Sequence, residues 1–564
     1  MISDKAGRSL QRISVTVPFS LIRRLVPSLG MALCAFMLAA CGGGDAPGTQ
    51  PEDPLAAFTQ QTLQWQPCDP QALNFGFTPT SEMLAGARCA LLRVPQDYEH
   101  PADGALQIEL MRMEARQPRQ RLGALVFNPG GPGAEGVAMG WAMSSLLARS
   151  GNARLREMAD RYDMVGFSPR GTGSQNLLHC DINGALGALG VDEKAEITRL
   201  LYGDEAQAQM ALQRLMLLYV QSCMDNPLSR HVHTDGTARD MDVLRAVLGE
   251  DKLNFIGYSY GSWLGAWYSR LFPARAGRML LDSSLSIRSV DDWLAPSRLG
   301  KQRIVERFML PLVMRYHQML GLDTADLWNT LPALDPRLKK VLVSTLNFSQ
   351  SSELQNAALA IRAALVLQAL HGKYADATLE EVQAMVRTSV FAPDASANAQ
   401  GMKIALHMLN GLVDPGADAA PGNERLNSSV NISVRCNDTG SKGDAQYYLN
   451  RIQQDRRLYP LFDSVVAEPC AHWTLPLRTF PPAPAGEGAP LLMLQSRYDG
   501  QTPVEGAMET WTALPQARMI VVEDEYQHGL FPYGTDCVDN QVADYFLQGT
   551  LPQRLGSCAA RQQY

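Results

Sequence analysis

The 564-residue chain has no Cys-x-x-Cys pair, no excess of basic charge and no uninterrupted apolar run of bilayer-spanning length. The first absence removes zinc-ribbon and thioredoxin-like chemistry. The second removes nucleic acid as a partner: residues 1–40 hold Lys5, Arg8, Arg12, Arg23 and Arg24 against Asp4, a balance of +4, so the rest carries −11 of the net −7. The third argues against a membrane-embedded body, because the run Leu25–Ala40 is short and interrupted by Pro27 and Gly30. A hydrophobic share of 46% with 19% charged residues describes a globular chain. Its length calls for roughly two or three structural units, such as a core with a sizeable insertion.

A basic segment ending at Arg23-Arg24, an apolar stretch and the small residues Ala39 and Ala40 read as an export signal over 1–40. Leu38-Ala39-Ala40-Cys41 resembles a lipobox, which makes Cys41 a candidate lipidation site and any membrane association an N-terminal lipid anchor. Gly42-Gly43-Gly44 and the tract to Pro54 open a flexible tether over 41–64. Without Cys34 and Cys41, eight cysteines remain, an even number that suits disulfides in an exported chain. Eight cysteines allow on the order of a hundred pairings. Sequence neighbours are expected to pair: Cys68 with Cys89, Cys180 with Cys223, Cys436 with Cys470, Cys537 with Cys558.

Strand patterns fall at Arg88–Val94, Leu106–Glu114, Gly123–Phe127, Tyr162–Phe167, Leu253–Ile256, Arg278–Asp282, Pro490–Gln495 and Ala517–Glu523, the first two as a hairpin. From the third onward they alternate with helical periodicities, which implies a largely parallel sheet of eight strands flanked by helices. Thr234 or Thr237 is expected to cap the helix before the fifth strand. Residues 290–430 are helical throughout, with Met309, Leu312, Val313 and Tyr316 on one face and Ala358, Ile361, Leu365 and Ala369 on another. Placed between parts of one sheet, they read as a cap over core segments 65–289 and 431–564.

Two glycine-rich loops follow strands. Gly257-Tyr258-Ser259-Tyr260-Gly261 is the pattern of a nucleophile elbow, a strained turn that exposes Ser259 Oγ and offers the Tyr260 N–H to an oxyanion. Asn128-Pro129-Gly130-Gly131-Pro132-Gly133-Ala134-Glu135-Gly136 admits two readings. Gly131-x-Gly133-x-x-Gly136 is formally a dinucleotide fingerprint of an oxidoreductase, but two strands precede it and the next strand ends without the acid that would hold a ribose. The other reading makes Gly131 the second oxyanion donor of a hydrolase. No cofactor is then required. His231-Val232-His233 lacks a third ligand at suitable spacing, so no metal is expected.

The last two strands end in Arg497-Tyr498-Asp499 and Gln527-His528-Gly529. Acyl transfer needs a nucleophile, a base, an orienting carboxylate and oxyanion donors, here Ser259, His528, Asp499, and Tyr260 with Gly131. Asp524 and Glu525 also lie near His528, but Asp499 ends the preceding strand; His472, beside Cys470, reads as structural. The order Ser, Asp, His is that of the α/β-hydrolase fold.

These motifs together resemble the secreted tripeptidyl aminopeptidases among the prolyl-iminopeptidase-related α/β-hydrolases, over roughly residues 65–564. The resemblance implies a peptide substrate with a free N-terminus, shortened by a few residues at a time, and acidic groups for its ammonium. Glu135 and Asp438 are the candidates. Asn128 departs from the iminopeptidase type, which has His there. An esterase or lipase would use the same machinery with an apolar acyl pocket, and a non-catalytic surface lipoprotein would keep only the fold.

Overall fold

The computed structural model describes residues 53–70, 79–201, 205–288, 291–309, 334–335, 338–339, 341–342, 353–373, 377–392, 394–413, 428–439, 443–458, 468–484 and 488–561. The export signal, Cys41 and the first half of the tether lie outside them, as do Leu312, Val313 and Tyr316.

Ten strands form one sheet: β1 (Gln66–Pro67), β2 (Ala87–Pro95), β3 (Ala105–Met113), β4 (Gly123–Asn128), β5 (Tyr162–Phe167), β6 (Leu253–Tyr258), β7 (Ala276–Asp282), β8 (Leu491–Ser496), β9 (Ala517–Glu523) and β10 (Leu555–Ala559). Their spatial order is β1-β2-β3-β5-β4-β6-β7-β8-β9-β10. All eight expected strands are present, and two short ones extend the edges. The opening hairpin is antiparallel, β3 pairs antiparallel with β5, and every pairing from β5 to β10 is parallel. Every residue of β4, β5 and β8 is buried, as strands covered on both faces require.

The chain leaves β4 toward β5 on one side and leaves β6 toward β7 on the other, although β4 and β6 are neighbours. This is a topological switch point, where the loops diverge and open a crevice beyond the strand ends. Both glycine-rich loops start there.

Helices Met139–Ala148, Ala153–Arg161, Thr234–Val247, Tyr260–Leu271, Val504–Ala513 and Asp536–Gln548 connect the strands. The cap of Thr234–Val247 is neither threonine. His233 occupies that position, its Nδ1 accepting the Gly236 N–H at 2.9 Å, because its extended backbone (φ −154°, ψ 162°) aims the ring at the first turn. Four disulfides join the expected pairs, Cys68–Cys89, Cys180–Cys223, Cys436–Cys470 and Cys537–Cys558.

The insertion is helical among its described residues: Asp291–Ile304, Glu353–Lys373, Leu379–Thr388, Ala395–Val413 and Ser428–Thr439. Ala358 and Ile361 are buried and Leu365 half-buried as expected, but Ala369 is exposed; the covered face runs instead through Ala360, Ala364 and Leu367. Its core includes Ile304 and Val305 and reaches Tyr526 of the sheet domain. Phe308 lies 5.3 Å from the ring of Tyr498 and 4.8 Å from that of Tyr526. Gly300 comes so close to the Asp499 carbonyl that a Cβ there would lie 2.8 Å from it.

Candidate active site

β6 delivers Ser259 at φ 54°, ψ −120°, a conformation that an L-residue holds only when its surroundings dictate it. Here they do. A Cβ on Gly257 would stand 2.3 Å from the Gly261 carbonyl oxygen, and one on Gly265 2.6 Å from Leu281, so the helix Tyr260–Leu271 can double back along the strand only with glycine at these crossings. The Ser259 N–H is held by the Asp282 carbonyl at 2.9 Å, and its side chain remains half-buried at the crevice.

The β4 loop passes directly over this turn. A Cβ on Gly130 (φ +100°) would be 2.4 Å from the Tyr258 carbonyl oxygen, 3.0 Å from Ser259 Cβ and 3.2 Å from Tyr260 N. Gly131, next in line, is exposed. The loop is anchored by Asn128, fully buried, whose Oδ1 accepts the Gly130 N–H at 3.0 Å while Nδ2 has no partner among the described residues. A second anchor is Asn431, whose Nδ2 donates to the Pro132 carbonyl at 3.0 Å. The glycines of this loop therefore serve close approach to a serine.

Asp499 and His528 meet: Nδ1 lies 2.9 Å from Oδ2 and 3.1 Å from Oδ1. The carboxylate is fully buried and oriented by the N–H groups of Gln501 (2.8 Å) and Thr502 (2.9 Å) and by the Thr502 hydroxyl (3.0 Å). Facing a carboxylate, Nδ1 carries the proton and Nε2 is left as the acceptor, a tautomer assigned from this network. Burial alone would lower the His528 pKa, but the charge and hydrogen bond of Asp499, with the charge of Asp282, outweigh it and raise it above 6.5. Among the described residues His528 bonds to Asp499 and sits 3.4 Å from the Thr502 hydroxyl, and no hydrogen bond joins it to Ser259 Oγ. Such contacts are commonly long before substrate arrives. The other acids near His528 are engaged elsewhere: Glu525 with the Tyr526 and Gln527 N–H groups and the Tyr533 hydroxyl, Asp524 with Arg307.

Three contacts at the ends of neighbouring strands hold the His528 loop. Ser496 of β8 donates to the Gln527 carbonyl (2.6 Å), Tyr258 of β6 to the Phe531 carbonyl (2.7 Å), and Asp282 of β7 accepts the N–H groups of Leu530 (3.0 Å to both oxygens) and Phe531 (2.7 Å). These residues were not singled out from sequence. The one available signal was that strand pattern Arg278–Asp282 ends on a carboxylate followed by Ser283-Ser284.

The two candidate ammonium ligands divide. Asp438 is fully buried, and its oxygens accept from Thr234 N–H (2.9 Å), Thr234 Oγ1 (2.5 Å) and Trp263 Nε1 (3.0 Å). It presents no surface to a ligand, which corrects the expectation; burial pushes its pKa up to about 7. Glu135 is half-buried in the loop after β4, with Oε1 accepting the N–H groups of Gly136 (2.8 Å) and Val137 (2.9 Å). Ser168 lies between two acids: its hydroxyl donates to Glu109 at 3.2 Å, and it acts electrostatically on Glu135. Burial raises the Glu135 pKa; Ser168 and the Val137 N–H oppose this, and the Glu109 charge adds to it. His472 sits in the short turn Pro469–His472, stapled by Cys436–Cys470. Among the described residues no group of three or more His, Cys, Asp or Glu is placed to hold a metal.

Residues 123–312 match the family described as alpha/beta hydrolase fold, and residues 459–558 match the one described as TAP-like protein. The chain is similar to a tripeptidyl aminopeptidase of Streptomyces coelicolor, 29% identical over 84% of this chain and 83% of that protein. Similarity extends to serine protease Hip1 of Mycobacterium tuberculosis, 24% identical over 95% of this chain and 98% of the relative. A carboxylesterase B from the same species is 27% identical over 94% of this chain and 97% of its own length.

Proposed function

We propose that this α/β-hydrolase, a serine hydrolase related to the tripeptidyl aminopeptidases, is an exported aminopeptidase that releases short peptides from free N-termini through an acyl-enzyme. The observation that carries this reading is the 2.9 Å contact of a buried Asp499 with His528, on the sheet edge where the half-buried Ser259 lies at the crevice. In the proposed reaction Ser259 Oγ attacks the scissile carbonyl while His528 Nε2 takes its proton. The oxyanion is received by the N–H groups of Tyr260 and Gly131. His528 then passes the proton to the leaving amine, and a water, deprotonated by the same ring, hydrolyses the ester. The helices of the insertion form the cap that limits how much peptide enters.

Glu135 is assigned the substrate ammonium. The charge of Glu109 acts unfavourably on the Glu135 carboxylate, and an incoming cation relieves that repulsion. Four disulfides support the exported reading, since such bonds persist in oxidising compartments. No helix among the described residues is long and apolar enough to cross a membrane.

The similarity to a carboxylesterase keeps ester hydrolysis as the second reading. A substrate panel separates them: unblocked Ala-Ala-Pro and Pro chromogenic amides, their N-acylated forms, and p-nitrophenyl esters, each with wild type and Ser259→Ala. The aminopeptidase reading expects turnover of the unblocked amides, loss of it in Ser259→Ala, and a raised KM in Glu135→Gln for those substrates alone. Turnover restricted to blocked peptides or esters would refute it.

A further inference from the structure

The base arrives from the wrong side of the site. Ser259 follows β6 and His528 follows β9, with β7 and β8 between them. At about 4.8 Å per strand the two ends are roughly 14 Å apart. The loop after β9 must therefore fold back over β8 and β7 and be held there.

What holds it is concentrated on one residue. Asp282, the last of β7, stands opposite Tyr258 of β6 in the pairing register and opposite Leu494 of β8. Its main-chain carbonyl accepts the Ser259 N–H at 2.9 Å, and its fully buried carboxylate accepts the Leu530 and Phe531 N–H groups. Ser283, held at φ 55°, donates to Asp282 Oδ1 at 3.1 Å and accepts the Gly529 N–H at 2.8 Å. Thus the three consecutive N–H groups after His528 all end on Asp282 and Ser283.

We propose that Asp282 is a positioning residue that sets the nucleophile and the base in register, fixing the serine through its backbone and the imidazole loop through its carboxylate. The proposal rests on the roles assigned above to Ser259, Asp499 and His528. A neutral side chain of any kind could brace a loop; a carboxylate here has a second effect. The ionisable groups facing His528 are Asp499, from the β8 loop, and Asp282, while those facing Asp282 are His528 and the Tyr258 phenol. Asp282 therefore adds negative charge near the imidazolium that forms during catalysis.

The test is Asp282→Asn in the full-length protein, beside Ser283→Ala and Ser259→Ala, with folding checked by thermal melting. Asn keeps the size and one acceptor oxygen but removes the charge. The expected kcat loss is about 10²-fold, the scale of an ångström-level misplacement, with KM nearly unchanged. In the pH profile of kcat/KM the acidic limb moves to lower pH, because an imidazolium deprived of a neighbouring anion loses its proton more readily. Ser283→Ala, which leaves the charge, lowers kcat to a smaller extent and leaves the limb in place. This variant carries the test if Asp282→Asn does not fold. An Asp282→Asn enzyme with kcat within twofold of wild type and an unmoved limb overturns the proposal, as does a Ser283→Ala enzyme with wild-type kcat. A serine-directed organophosphonate separates this from failure of the underlying reading: if wild-type Ser259 is not labelled, both fall; if it is labelled and the variants behave as wild type, only the positioning role falls.

Discussion

Replacing Gly130 with Ala asks the structure for a number. The added Cβ would stand 2.4 Å from the Tyr258 carbonyl oxygen, and ordinary contact begins at 3.4 Å, so the loop must withdraw by about 1 Å. It cannot rotate away cheaply, because φ at this position is +100°, where L-residues are strained. The Gly131 N–H moves with it. An oxyanion donor works at roughly 2.7–3.1 Å, so a withdrawal of that size removes its contribution, and loss of one such donor lowers kcat by about 10²–10³-fold. The assay is steady-state hydrolysis of a chromogenic substrate, with kcat and KM separated and a melting curve to confirm folding. Gly151→Ala is the control: nothing lies within 4 Å of its would-be Cβ, and its activity is expected to match wild type. A Gly130→Ala enzyme within threefold of wild-type kcat would refute both the close approach and the donor assignment.

In Asp499→Asn, Oδ1 stays with the Gln501 and Thr502 N–H groups and the new amide nitrogen faces His528 Nδ1, imposing the wrong tautomer; kcat should fall by about 10⁴-fold with little change in KM, measured on the same substrate. The wild-type pH profile should lose activity as pH falls through the raised pKa of His528, because only the neutral ring accepts the serine proton. Reduction should lower the melting temperature on the order of 10 °C, because four bridges closing sequence separations of 21, 43, 34 and 21 residues each contribute about 3–4 kcal/mol. Asp438 binds its proton more tightly folded than unfolded, so its contribution is full below pH 3.8 and is lost as pH rises through about 7. Melting curves of wild type should therefore decline more steeply over that window than those of Asp438→Asn.

The sheet and the candidate site at its edge were legible because both obey local rules. Apolar runs of strand length ended in glycine or in Ser259, Asp499 and His528, and disulfide partners were neighbours in sequence. β1 and β10 escaped because each is short and weakly apolar, and each owes its existence to pairing with an adjacent strand rather than to propensity. His233 as a helix cap and Asp438 as a buried acid escaped for other reasons. The first is a local contact with Gly236, but histidine is not among the residues that usually cap; the second depends on Thr234 and Trp263 from other helices. Asp282 was visible as a residue but not as a contact, since its partners lie 248 and 249 positions further along the chain.

Phe308, seated against Tyr498 and Tyr526, gives the insertion two regions under unlike constraints. Its root touches the neighbours of the acid and the base, with Gly300 packed on the Asp499 carbonyl, so bulk added at positions 300–308 would disturb proton transfer itself. A second connection comes from the end of the insertion, where Asn431 of the helix Ser428–Thr439 donates to the Pro132 carbonyl of the loop over Ser259. Chimeras that exchange the stretch between them, while retaining residues up to 309 and the helix Ser428–Thr439, should inherit the donor's choice of peptide and keep the recipient's turnover chemistry, which makes those two junctions the natural splice points for redesign.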